Sequence, residues 1–309
     1  MSIIDFSSHI VPPTLNGVIV FNDQRESSEY DIDTRIKIMD KYNIQKQVVS
    51  LSAAWLYGLT PQKALYACEL ANDYIAKMVS TNPNRFVGCG VLDLRNIESA
   101  LTQTEKIVKK LGFKCLTVGT HQGERSLDDE YFYPFYEFIN EENIPLFIHP
   151  ISFDGYELVD EKNGQGAMQV FGWPFETSWA IWKMIVNRVF DKFNKLKIVT
   201  HHLGGMLPHL FNRANYRFER NHKINGLKHY KYYFKNIYAD TALDGTSIMA
   251  LLEGYELFGP NNIVFGSDWP FIEDSVSYGN NINAINSLPI PDEEKLKILY
   301  SNAVQLLNL

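Results

Sequence analysis

Positive charge is in short supply in this 309-residue chain: 29 Lys and Arg stand against 36 Asp and Glu, a net charge of −7. Without a basic surface there is no electrostatic footprint for nucleic acid. Cysteine is also scarce. Cys68, Cys89 and Cys115 form no CxxC and no paired spacing, which fits buried thiols in a reducing compartment and excludes a disulfide scaffold. No apolar run approaches the roughly 20 residues that cross a bilayer. The opening MSIIDFSSHIVPP lacks the basic-then-apolar pattern of a secretory leader. Low-complexity tracts, Gly/Ser linkers and abrupt composition changes are missing too. These absences lead to the expectation of a cytoplasmic protein with one domain over residues 1–309. The 45% hydrophobic content is enough for a sizeable core.

What is present is an alternation. Short apolar, β-branched runs occur at 3–6, 47–52, 86–92, 115–120, 145–150, 197–202, 236–241 and 262–268. Amphipathic stretches follow them at 35–42, 61–80, 98–111, 129–140, 176–193, 207–221, 246–255 and 293–307, with Pro61 placed as a helix starter. Continuous apolar strands alternating with helices imply a parallel sheet covered on its outer face. Eight such units in a chain of this length predict an α/β fold, a single (β/α)8 barrel. A doubly wound open sheet is the competitor, but its first turn usually carries glycine, and the first turn here, FSSHIVPP, has none.

The active site of such a barrel lies at the C-terminal ends of its strands. Strand 1 ends in Asp5, Ser7 and His9, strand 5 in His149, strand 6 in His201-His202, strand 7 in Asp240 and strand 8 in Asp268. One histidine at a strand end is an ordinary hydrogen-bonding residue. Several brought to one mouth with a carboxylate make a hydrolytic metal site. Successive strand residues point to opposite faces, so only one of the tandem pair is expected to face the mouth. Gly204 and Gly205 follow it and let the backbone pass close to a ligand. His202 is assigned to the site, with His201 packing or bonding outward. His121 either lines the pocket or belongs to a surface loop. His209, His222 and His229 are expected to be structural or exposed.

The whole arrangement resembles the amidohydrolase superfamily, in the branch related to aminocarboxymuconate-semialdehyde decarboxylase. The likeness is carried by RIKIMDKYNIQKQVVSLS (35–52), NPNRFVGCGVLDL (82–94), residues 111–150 ending in PLFIHP, FGWPFETSWAI (171–181), KLKIVTHHLGGMLP (195–208) and NIVFGSDWPF (262–271). The resemblance implies one divalent metal, zinc first and manganese second, held by the strand 1 histidines, His149 and Asp268. It makes His202 the general acid/base beside a metal-activated water, with Asp268 sharing the catalytic centre. It also implies a homodimer acting on a small carboxylated aromatic or unsaturated acid, with decarboxylation favoured over hydrolysis. A hydrolase of a lactone or cyclic amide with little metal dependence is one alternative; a barrel that only binds a small acid is the other.

Two departures stand out. The usual strand 1 motif is Asp-x-His-x-His, whereas this chain has Ser7 at the first ligand position and keeps only His9. Hydroxybenzoate decarboxylases typically carry Glu shortly after the strand 6 His, where this chain has Gly205. Arg213 and Arg217 are candidates for a substrate carboxylate or form a solvated helix face. Trp173 and Trp269 either stack on a planar substrate or pack the rim. Glu176 sits at a helix start, where the dipole alone favours a carboxylate.

Overall fold

Eight parallel strands pair in sequence order in a computed structural model that describes residues 2–19, 31–152 and 166–309. They are β1 (Ile3–His9), β2 (Ile44–Ser50), β3 (Phe86–Val91), β4 (Cys115–Gly119), β5 (Leu146–His149), β6 (Ile198–Thr200), β7 (Ile237–Asp240) and β8 (Ile263–Val264). The ring closes where the chain beyond β8 returns to β1. Phe6 N–H donates to Phe265 O and His9 N–H to Trp269 O, both at 2.7 Å. Asp268 N–H donates to Ser7 O at 2.9 Å. The architecture is the expected (β/α)8 barrel.

The helices that cover the ring are α1 (Ile32–Lys41), α2 (Pro61–Thr81), α3 (Ile97–Glu105), α4 (Tyr133–Glu141), α5 (Trp173–Val186), α6 (Leu207–Asn225) and α7 (Ile248–Phe258), then a helical run over 292–307. Local chemistry starts several of them. Asp31 accepts from Thr34 N–H at 3.1 Å and Asn96 from Ser99 N–H at 3.0 Å. Thr60 caps α2 just before Pro61.

Two apolar layers result from strand alternation. Ile4, Phe6, Val48, Val87, Cys89, Cys115, Phe147, Val199 and Val264 fill the barrel. Ile3, Val49, Leu116, Ile148, Ile198 and Ile263 face outward against Met39, Ile75, Phe135, Ile181 and Leu251 of the helices. Each fully buried Phe or Ile is worth roughly 1.5–3 kcal/mol of hydrophobic stabilisation. All three cysteines are buried and free. Three strand ends differ most from expectation: β1 runs on to His9, β6 stops at Thr200, before the tandem histidines, and β8 stops at Val264, four residues before Asp268.

Candidate metal centre

Regular alternation along β1 would put Ile4, Phe6 and Ser8 into the barrel. Its register with β2 slips between Asp5 and Ser8, and a slip of this kind re-aims the side chains beyond it. Ser8 Oγ therefore donates to Val48 O at 3.1 Å and accepts from Arg35 Nη1 at 3.3 Å. Ser7 and His9 face the mouth. His9 Nε2 lies 3.1 Å from Asp268 Oδ1, and its Nδ1 is 3.3 Å from Ser50 Oγ.

The other strands converge on the same point. His149, last residue of β5, donates from Nδ1 to Pro150 O at 2.7 Å and lies against Ser52 Oγ at 3.1 Å. Beyond β6, His201 is extended, but His202 and Leu203 have φ of 51° and 50°. Asp268 is likewise left-handed, with φ of 57°. One potential ligand atom each from His9, His149, His201 and Asp268 falls within 4.8 Å of the others, and all four residues are buried.

This corrects the expectation for His201. Strand alternation no longer applies once the backbone leaves β6 and turns left-handed, so both tandem rings face the mouth, stacked at 3.8 Å. His201 Nδ1 bonds Asp240 Oδ2 at 2.5 Å, and its Nε2 lies 3.4 Å from Asp268 Oδ1. His202 sits at the other oxygen, with Nε2 3.6 Å from Asp268 Oδ2, and its backbone N–H donates to Asp240 Oδ1 at 2.9 Å.

Electrostatics sort the groups. Burial would raise the Asp268 pKa, yet the surrounding imidazoles of His201, His202 and His9 hold it well below the usual carboxylate range. Burial lowers His9 and pushes His149 far down, helped by the neighbouring imidazoles, which keeps both neutral with a lone pair to offer. Burial also opposes charge on His201, but Asp240 and Asp268 outweigh it and lift its pKa to about 10. His9 Nε2, His201 Nε2 and Asp268 Oδ1 are buried without a hydrogen-bond partner among the described residues. When His9 donates from Nδ1 to Ser50, its Nε2 lone pair faces a carboxylate oxygen, an arrangement that calls for a cation between them. The residues fit a divalent ion.

Around this centre, Trp173 is half-buried, with its ring 6.0 Å from His149 and stacked 6.4 Å from His202. Trp269 is different. It is buried, and the Arg35 guanidinium lies 4.4 Å above its ring, so the packing alternative holds there. Phe271, 5.3 Å from the His9 ring, and Trp55 beside it form the aromatic wall instead. A cavity of about 290 Å³ at the ends of β2–β5 is lined by Leu56, Tyr57, Asp93, Arg95, His121 and Ile151, among others. His121 thus lines a pocket, its ring nitrogens facing Gly123 O and Ser152 O. Glu176 is buried, accepts from Thr120 Oγ1 at 3.1 Å and is raised in pKa by its burial.

Arg213 and Arg217 are exposed on α6, where their i, i+4 spacing puts them on one face, and do not reach this chain's own centre. His209 is an exposed partner of Glu253, and His229 caps the helix at Tyr230–Phe234. The side chain of His222 lies outside the described residues. Asp5 faces away from the mouth, bonded to Ser267, Tyr278 and Gln47. Sequence reasoning missed Arg35, Arg95, Trp55 and Phe271. For Arg35 a signal exists: it falls in the Ile32, Ile36 and Met39 stripe, the buried face of α1.

A barrel whose strand ends gather three imidazoles and a carboxylate around unpartnered donor atoms is the framework of a metal-dependent lyase or hydrolase. The chain belongs to the Amidohydrolase family, whose model matches residues 4–309. It is 28% identical over 289 residues to 2-amino-3-carboxymuconate-6-semialdehyde decarboxylase of Dictyostelium discoideum, covering 92% of this chain and 78% of that protein. It is also 28% identical over 304 residues to gamma-resorcylate decarboxylase of Polaromonas sp., covering 90% and 87%. Among solved structures, a dihydroxybenzoic acid decarboxylase from Polaromonas sp. JS666, with bound manganese and the inhibitor 2-nitroresorcinol, superimposes with a TM-score of 0.86 at 24% identity, covering 100% and 97%.

Proposed function

We propose that this chain is a metal-dependent carboxy-lyase acting on a small carboxylated aromatic or unsaturated acid. The observation that carries the reading is the convergence of His9, His149, His201 and Asp268 at the barrel mouth, with His202 on the free side of Asp268. A divalent ion held there supplies positive charge that activates water and stabilises negative charge developing on the substrate. Imidazole-rich ligation suits zinc, and manganese is the alternative because a relative carries it.

In this reading His202 protonates the carbon that bears the carboxylate. The carbon–carbon bond then breaks, its electron pair returns to the unsaturated system and carbon dioxide leaves. Trp173 covers the planar substrate. Gly205 favours an unsaturated acid over a hydroxybenzoate: a Cβ there would sit 2.3 Å from Pro174 O, so the loop has no room for an acidic side chain.

A cytoplasmic homodimer over one domain, 1–309, completes the proposal. Val170, Phe171, Phe175 and Trp179 are 60%, 66%, 48% and 49% exposed around the start of α5, an apolar stripe suited to a second copy. Light scattering that gives a monomer mass at micromolar concentration would sink the dimer. No helix among the described residues is long and apolar enough to cross a membrane.

The test of the function is carbon dioxide release by metal-loaded protein from 2-amino-3-carboxymuconate-6-semialdehyde and from dihydroxybenzoates. His202→Asn should lose roughly 10²–10⁴-fold in kcat, the usual worth of a positioned acid/base, while keeping its metal. Equal rates for variant and parent would remove His202 from the chemistry.

A further inference from the structure

The strand 1 motif leaves this centre one ligand short at Ser7, and the structure shows what surrounds that position. Ser7 Oγ lies against Gly266, where a Cβ would sit 2.3 Å from it and 2.9 Å from Asp240 Cβ. The hydroxyl also lies beside the Asp240 carboxylate. Asp240 in turn bonds His201 Nδ1 at 2.5 Å. Ser7, Asp240 and His201 are thus contiguous, and the volume a histidine at position 7 would need is shared with the Asp240 side chain.

We propose that the missing ligand has moved from β1 to the end of β6, so that His201 Nε2 binds the ion in place of a residue-7 imidazole. Asp240 is then its positioning residue, and the tandem histidines divide the work: His201 holds the ion and His202 moves the proton. The inference rests on the metal reading above.

Three observations support it. Every imidazole in the cluster is held at Nδ1 from outside, His9 by Ser50 Oγ, His149 by Pro150 O and His201 by Asp240. Such outer partners fix the ring and its tautomer and aim Nε2 inward; at His149 that atom also lies 3.1 Å from Ser52 Oγ. Second, His201 Nε2 is buried without a hydrogen-bond partner among the described residues. The acid nearest that atom is Asp268, whose Oδ1 lies 3.4 Å away, so an ion between the two would be held by both. Third, the His201 and His149 ring centroids are 4.8 Å apart and tilted by 34°, so the two rings flank one point. The Asp240–His201 pair is a carboxylate–histidine couple of the kind that raises ligand basicity, which offsets the loss of the strand 1 donor.

The experiment reads metal binding directly. Zinc-loaded wild-type protein is examined by X-ray absorption, which counts imidazoles, and its affinity is measured against a chromogenic chelator. The same is done for His201→Gln, Ser7→His and the double variant. Expected are three imidazoles and one zinc per chain in the wild type. His201→Gln should bind at least about a hundredfold more weakly, the upper end of what even an outer-shell loss costs. Ser7→His alone should gain nothing, and in the double variant it should restore neither affinity nor the third imidazole, because Asp240 still fills the space its ring needs. Two imidazoles in the wild type, or unchanged affinity and imidazole count in His201→Gln, overturns the relocation and leaves the metal reading standing. Failure of the wild type to take up any ion overturns both. The wild-type count requires no variant to fold.

Discussion

Asp5 and Asp268 are both buried carboxylates, and their surroundings shift their pKa values in opposite directions. Asp268 is surrounded by three imidazoles and stays ionised far below the usual range. At Asp5 burial dominates, the opposing hydrogen bonds come chiefly from Ser267 and Tyr278, and the pKa rises from 3.8 to about 6. A raised carboxyl favours the fold while protonated. Its contribution is fully present below pH 3.8 and is lost as pH rises through about 6. Between pH 5 and pH 8 the wild type should therefore lose roughly 1 kcal/mol of stability relative to Asp5→Asn, at about 1.4 kcal/mol per pKa unit of difference. Urea denaturation of both proteins at the two pH values measures it. A gap that stays constant, or moves the other way, would show that Asp5 is ionised throughout.

Among the elements, the helices and most strands were legible because their signals are local. Apolar periodicity located all eight strands, and Pro61 marked the start of α2. The catalytic ends of β1 and β6 were legible only in part. His9, His149 and Asp268 were identified as cluster members from their places at strand ends, and the structure brings them together. The inward turn of His201 was not legible, because it depends on positive φ at His202 and Leu203, a backbone state that no side chain there announces. The register slip in β1 was equally hidden, since it comes from contacts with another element. Arg35 of α1 reaches into β1, donating to His9 O at 2.5 Å, to Ser8 Oγ and to Gln47 Oε1, while covering Trp269. Removing it strands several buried acceptors. Arg35→Ala should cost roughly 3 kcal/mol, in line with losing one partner of a buried charged network. It should also weaken metal binding, although residue 35 is not a ligand. A melting temperature and metal affinity equal to wild type would separate Arg35 from the centre.

At the scale of the molecule, the barrel and the family follow from the alternation and order of the motifs, whereas the substrate depends on the loops around the mouth. The same first set of ligands serves hydrolysis and decarboxylation, so sequence pattern alone does not choose between them. The decarboxylases among the relatives favour loss of carbon dioxide. The most direct measurement follows carboxyl-¹³C-labelled 2-amino-3-carboxymuconate-6-semialdehyde and dihydroxybenzoates by NMR with metal-loaded protein, before and after chelation. The expected result is ¹³C-labelled carbon dioxide and bicarbonate from at least one of these acids, abolished by the chelator and restored by adding the ion. Label retained in every acid, together with hydrolysis of a lactone or cyclic amide at the same site, would contradict a carboxy-lyase.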